Sequence, residues 1–178
     1  MTEQRDDATP WEPDPISAED FHQDDSWANV NRAPYDEVAG VLFKRAANIK
    51  RVRYSPANPA PEMPEAFQGS GDTVVRWLFS ELSGTAEGLL DGATFAYLHD
   101  VTIDPDAAAG MQPADVETIL YVITGEGVLH HRPTPGSPVL TRPLRPGDAA
   151  LVHAGEYHRV AADAGEALRL IVLGLRSA

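Results

Sequence analysis

The sequence predicts an all-β fold closed into a barrel or sandwich, on three observations. Turn signals built from Gly, Pro, Asn and Asp recur roughly every 8 to 12 residues from Thr73 onward. Between them lie short apolar runs, several with apolar residues at alternate positions, which is the period of a strand. The chain holds 14 glycines and 15 prolines, an enrichment suited to many tight turns, and no long 3.6-residue apolar period that would mark a helix.

Taken in order, residues 1–28 form an acidic leader with nine carboxylates against Arg5, and Pro10, Pro13 and Pro15 favour extended or disordered chain there. Trp11, Phe21 and Trp27 are expected to dock the leader onto the domain or a neighbouring subunit, because large exposed aromatics are costly. Ser17 is positioned to cap a short helical turn. Residues 29–72 read as N-terminal strands and a Pro-rich loop packing on the barrel. Glu37 to Tyr54 reads as two short strands whose Lys44, Arg45, Lys50, Arg51 and Arg53 balance the acidic leader. Residues 55–71, with four prolines, read as a loop. The barrel itself is expected over 73–178, with strands at 73–81, 93–103, 116–124, 127–132, 138–142, 149–153, 157–162 and 167–174, and a loop from Asp104 through Gly110.

The stretch Glu117 to His158 organises this barrel. It opens on an alternating run ended by the Gly125-Glu126-Gly127 turn and closes on Pro146-Gly147-Asp148, a short apolar strand, Gly155 and His158. These features resemble the two conserved boxes of the cupin superfamily. The second box reads Gly, five residues, Pro, one residue, Gly, two residues, His. Gly147, Gly155 and His158 fall in place, with His153 where proline is usual. The first box, anchored on Gly125 with its start at Gly110, puts Gln112 and Ala114 at the paired-histidine positions and Thr118 at the glutamate position. Glu117 lies one residue away from that position, so it should face the other side of the sheet unless a bulge re-aims it. The resemblance covers roughly residues 73–175. It implies a cupin-type double-stranded β-helix, a jelly-roll barrel with an N-terminal extension, and a homodimer paired through sheet edges or exchanged N-terminal strands.

The same resemblance aims His158 into the barrel mouth, but one imidazole does not hold a catalytic metal, which usually needs three protein ligands. The first reading is therefore a barrel that binds a small organic ligand through His158, Gln112, Thr118, His99 and Tyr157, with no cofactor expected. His99 joins this set because it shares the strand parity of Val101 and Ile103. An alternative is a metal-dependent cupin enzyme, an isomerase or dioxygenase, with a divalent ion (Zn, Fe, Mn or Ni) on His158 and a site rebuilt from His99, His130 or His131, and His153. A metal-free acid–base enzyme would draw on His158, His99, Tyr97, Tyr121 and Tyr157, with Asp100 or Asp115 orienting an imidazole. A third reading is a regulatory or interaction module whose barrel is filled by side chains and only presents the leader and the 55–71 loop.

Composition removes several other classes. With no cysteine there is no disulfide, thiolate metal site or thiol nucleophile. A net charge of −13 argues against nucleic acid and anionic membrane as partners. No apolar run approaches the ~20 residues of a membrane span and no signal-peptide pattern opens the chain, so a cytoplasmic protein is expected.

Overall fold

The computed structural model describes residues 21–22, 36–38, 41–43, 49, 51–54, 68–80 and 94–176. In chain order the strands are β1 (Phe21–His22), β2 (Asp36–Val38), β3 (Val41–Phe43), β4 (Arg51–Tyr54), β5 (Thr73–Ser80), β6 (Phe95–Ile103) and β7 (Gln112–Pro113). They continue with β8 (Glu117–Thr124), β9 (Gly127–Arg132), β10 (Leu140–Leu144), β11 (Ala149–Val152), β12 (Tyr157–Ala162) and β13 (Leu168–Leu175). Among the described residues there is no helix, and none long and apolar enough to cross a membrane.

Two sheets make the body. One has seven strands in the order β1-β4-β5-β6-β13-β8-β11, the other four in the order β10-β9-β12-β7, and β2 pairs only with β3. Strand parity decides what lies between the sheets. Leu120 and Val122 of β8, Leu168 and Leu170 of β13, Val152 of β11, Leu129 of β9 and Val160 of β12 are all buried in one apolar cluster. Their neighbours Ile119, Tyr121 and Leu151 alternate to the other face, where Tyr121 and Leu151 are exposed. That outer face is not uniformly wet. Asp100, 2% exposed, accepts from Arg169 Nε at 2.8 Å and Nη2 at 2.9 Å, and Arg76 Nη1 stands 3.6 Å away, tying β5, β6 and β13 together.

The barrel expectation holds, with local differences. Among the described residues of 36–54 there are three strands where two were expected: β2 pairs antiparallel with β3, and β4 pairs antiparallel with β5. The large sheet thus starts before Thr73, and the leader's Phe21–His22 adds to it as a parallel strand on β4. The Ser17 turn, the aromatics Trp11 and Trp27, and the 55–67 part of the Pro-rich loop lie outside the described residues. Strand β10 runs to Leu144 rather than stopping at Arg142. Pro143 is tolerated because β10 is the edge of its sheet and pairs only with β9. The region read as a loop before Glu117 contains β7, two residues long, paired to β12 through Tyr157↔Pro113 and His158↔Gln112.

Candidate functional site

The inner faces of β4, β5, β6, β8, β12 and β13 enclose a cavity of about 560 Å³. Val75, Val101, Ile103, Leu120, Val160, Leu170 and Val172 give it an aliphatic wall, and Tyr54, Trp77, Tyr97, His99, Gln112, Thr118 and His158 bring polar groups to it. His99 is inward by the parity that β6 imposes on Tyr97, His99, Val101 and Ile103. His158 comes from β12, where the register sets it opposite His131 on one side and Gln112 on the other.

The four positions that the cupin boxes assign to metal ligands converge on this cavity: Gln112, Ala114, Thr118 and His158 all line it. The box start sits elsewhere than expected. Six residues before Gln112 is Asp106, and it adopts a left-handed φ of 60°, so the glycine-like position is Asp106 and not Gly110. Aspartate tolerates this conformation better than most side chains, which is why the turn survives without glycine.

Three rings run along the inner face. His99 stacks on Tyr97 with centroids 4.5 Å apart and planes 14° apart, and Trp77 lies 4.9 Å from His99 on a 30° tilt. The Tyr97 hydroxyl reaches Thr118 Oγ1 at 3.2 Å, and Thr118 Oγ1 donates to the Val116 carbonyl at 3.0 Å. Burial raises the Tyr97 hydroxyl above its ordinary pKa, the Thr118 hydrogen bond opposes the rise, and the Asp115 charge adds to it. Burial pushes Tyr54 up to about 12, against a lowering influence of the neighbouring Trp77. Burial alone lowers His99 to about 4. His158 is lowered to about 4 by burial first and by the neighbouring His131 second. Both imidazoles are therefore neutral at pH 7. His99 Nε2 and His158 Nδ1 are sealed from solvent and have no hydrogen-bond partner among the described residues.

The other candidates are placed differently. Tyr157 does not line the cavity: it alternates to the opposite face from His158, where the Arg132 guanidinium lies 5.5 Å from its ring centre. His130 does not line the cavity; it pairs across the strands with Arg159, and its pKa is lowered by burial and then by the Arg159 charge. Tyr121 is exposed on the outer face, and Asp100 is taken up by Arg169. His131 shares the face of His158, but its Nε2 donates to Glu156 Oε2 at 2.9 Å. His153 is exposed, with Nδ1 2.8 Å from Glu117 Oε2, so Glu117 does face away from the cavity as its parity requires. The structure also explains why histidine can replace the usual proline at 153. The His153 backbone N–H donates to Glu156 Oε2 at 3.1 Å, a bond that proline cannot make. The His131 bond to Glu156 is the chief cause of that carboxyl's lowered pKa.

A divalent ion does not fit this donor set. The four cupin positions supply one imidazole, one amide, one hydroxyl and a methyl group, where a catalytic ion usually takes three protein ligands. The rebuilt set of His99, His130 or His131, His153 and His158 does not gather either, because two β-sheet faces and the Glu117 and Glu156 carboxylates separate its members. No group of three or more His, Cys, Asp or Glu able to hold an ion occurs among the described residues.

Residues 104–178 match the model of the AraC-like ligand binding domain. No curated protein matches the chain. Among solved structures, a predicted oxalate decarboxylase from Thermotoga maritima is similar at 18% identity, over 69% of this chain and 93% of that one, with a TM-score of 0.49. A cupin-like protein from the same organism is 21% identical over 67% of this chain and 79% of that one, with a TM-score of 0.48. A Cupin 2 conserved barrel domain protein from Salinispora arenicola is 17% identical over 59% and 76%, with a TM-score of 0.46. At these levels the likenesses bear on neither ligand nor activity. The family match over residues 104–178, the two-sheet strand order and the four motif positions around one cavity agree with the cupin-type barrel expected from the sequence.

Proposed function

We propose that this protein binds a small organic ligand in the barrel cavity without a metal ion. The observation that carries the reading is the cavity itself, a volume in the range that takes drug-sized molecules, lined by an aliphatic wall and two neutral histidines, each with one sealed nitrogen that has no hydrogen-bond partner among the described residues. Gln112 and Thr118 complete the polar end. Tyr157, on the far face, supports the strand rather than the ligand. The match to a ligand-binding domain supports the same reading. An open cavity containing His158 counts against the interaction-module alternative, which needs a barrel filled by side chains. The dispersed histidines count against the metal-dependent isomerase or dioxygenase.

The test is ligand-observed NMR with a mixed set of small aromatic, aliphatic and polyol fragments. Wild-type protein is expected to bind a subset, and Val172→Phe, which fills the cavity, to lose them. Equal binding by both proteins would contradict the site. As a second part of the proposal the protein pairs with a copy of itself, since β11 ends the large sheet and exposes Leu151 beside Tyr121. Light scattering should show a dimer that Leu151→Lys weakens; a monomeric wild type would contradict it.

A further inference from the structure

The surroundings of three polar groups at the cavity decide where their protons lie. The Val116 carbonyl can only accept, so the single hydroxyl proton of Thr118 is committed to it at 3.0 Å. Tyr97, 3.2 Å from Thr118 Oγ1, must then be the donor of that second bond, which leaves its oxygen only lone pairs to offer elsewhere. In the imidazoles, His99 Nε2 and His158 Nδ1 are sealed without partners. A sealed N–H lacking an acceptor is the rarer orphan in proteins than a sealed lone pair. The proton of each neutral ring therefore belongs on the opposite nitrogen, Nδ1 of His99 and Nε2 of His158. Burial keeps both rings uncharged, so they act as neutral N–H donors and not as cations. Among the described lining residues, those of fixed charge at neutral pH, Asp115 and Arg159, are of opposite sign.

We propose that the cavity selects a neutral carbonyl compound with a ring-sized apolar body, the carbonyl oxygen accepting from the imidazole N–H groups of His99 and His158. This rests on the ligand-binding reading above and names its chemical class. The aliphatic wall takes the body, and a hydroxyl beside the carbonyl would find an acceptor in Tyr97. A sugar fits poorly, because its polar circumference would face the valines and leucines of that wall without partners. A carboxylate gains little, because among the described lining residues the cation Arg159 is accompanied by the anion Asp115.

Three probes of one shape test this on the full chain: 2-acetonaphthone, 2-ethylnaphthalene and 2-naphthoate, measured by equilibrium dialysis at neutral pH. The ketone is expected to bind at least about tenfold tighter than the hydrocarbon. Its carbonyl stretch, read by infrared difference with a carbon-13 label, should fall to lower frequency on binding. The His99→Phe/His158→Phe double variant keeps two rings and removes the nitrogens, so it should bind both probes alike and lose the frequency shift. Hydrocarbon binding equal to ketone in the wild type, or an unshifted stretch, would overturn the hydrogen bond. Tightest binding of the naphthoate would overturn the neutral class. If all three probes fail while other fragments bind in the NMR screen, the carbonyl class falls and the cavity reading stands; if nothing binds in either experiment, both fall.

Discussion

Gly174 is the residue on which the aromatic row depends. It sits between Tyr97 on β6 and Thr118 on β8, paired to both, and a Cβ there would stand 2.5 Å from the Tyr97 ring. The missing side chain lets that ring cross β13 and reach Thr118 two strands away. Gly174→Ala should displace the ring from its stack on His99 and cost about 1–3 kcal/mol, as overpacking does. Urea unfolding measures the loss, and Thr118→Val should cost less on the alanine background than in the wild type, because the hydrogen bond is already broken. His99 and His158 supply the pH dependence. Their folded pKa values near 4 lie below the ordinary 6.5, so the unfolded chain takes up protons first as pH falls. Their contribution is full above pH 6.5 and disappears towards pH 4, at most roughly 3 kcal/mol per ring. Urea midpoints should therefore fall between pH 7 and pH 4.5, and fall less in the double phenylalanine variant; parallel curves would contradict the burial. The inward aim of His99 was legible from the parity of Val101 and Ile103. The Tyr97–Gly174–Thr118 contact was not, because it joins three strands whose register no single segment encodes.

At the scale of the element, β7 with Ala114 just after it, β8 and β12 carry the four box positions to one place. The second box was readable because its turn residues are fixed by backbone shape: Gly147 and Gly155 both have positive φ. The first box was harder. Its strand β7 is two residues long and contains Pro113, so neither alternation nor β-propensity marks it, and its turn residue is Asp106 instead of glycine. Tyr157 lies outside the cavity lining, because strand alternation turns it to the face opposite His158. If the positions converge as described, the triple variant Gln112→His, Ala114→His and Thr118→Glu should complete a four-ligand set with His158. It is expected to retain about one divalent ion per chain through gel filtration in elemental analysis. The wild type should retain much less, and a triple variant that holds no ion would show that the four side chains do not point at one centre.

The chain is acidic, with a net charge of −13, and the barrel it forms holds a cavity with an aliphatic wall and a polar end. Under the proposed reading, ligand choice rests on the buried, uncharged imidazoles rather than on that net charge. The barrel was predictable because its turns and alternating strands are local signals. How the N-terminal part joins it was not, because β4 and β1 are short strands recruited by pairing, β4 with β5 and β1 with β4, rather than by their own pattern. Imidazole nitrogen-15 NMR of the full-length protein at neutral pH, recorded before and after addition of 2-acetonaphthone and then of zinc, tests the central claim most directly. The account predicts neutral His99 and His158 signals that move with the ketone and ignore stoichiometric zinc. Protonated rings at neutral pH, or signals that zinc moves and the ketone does not, would contradict it.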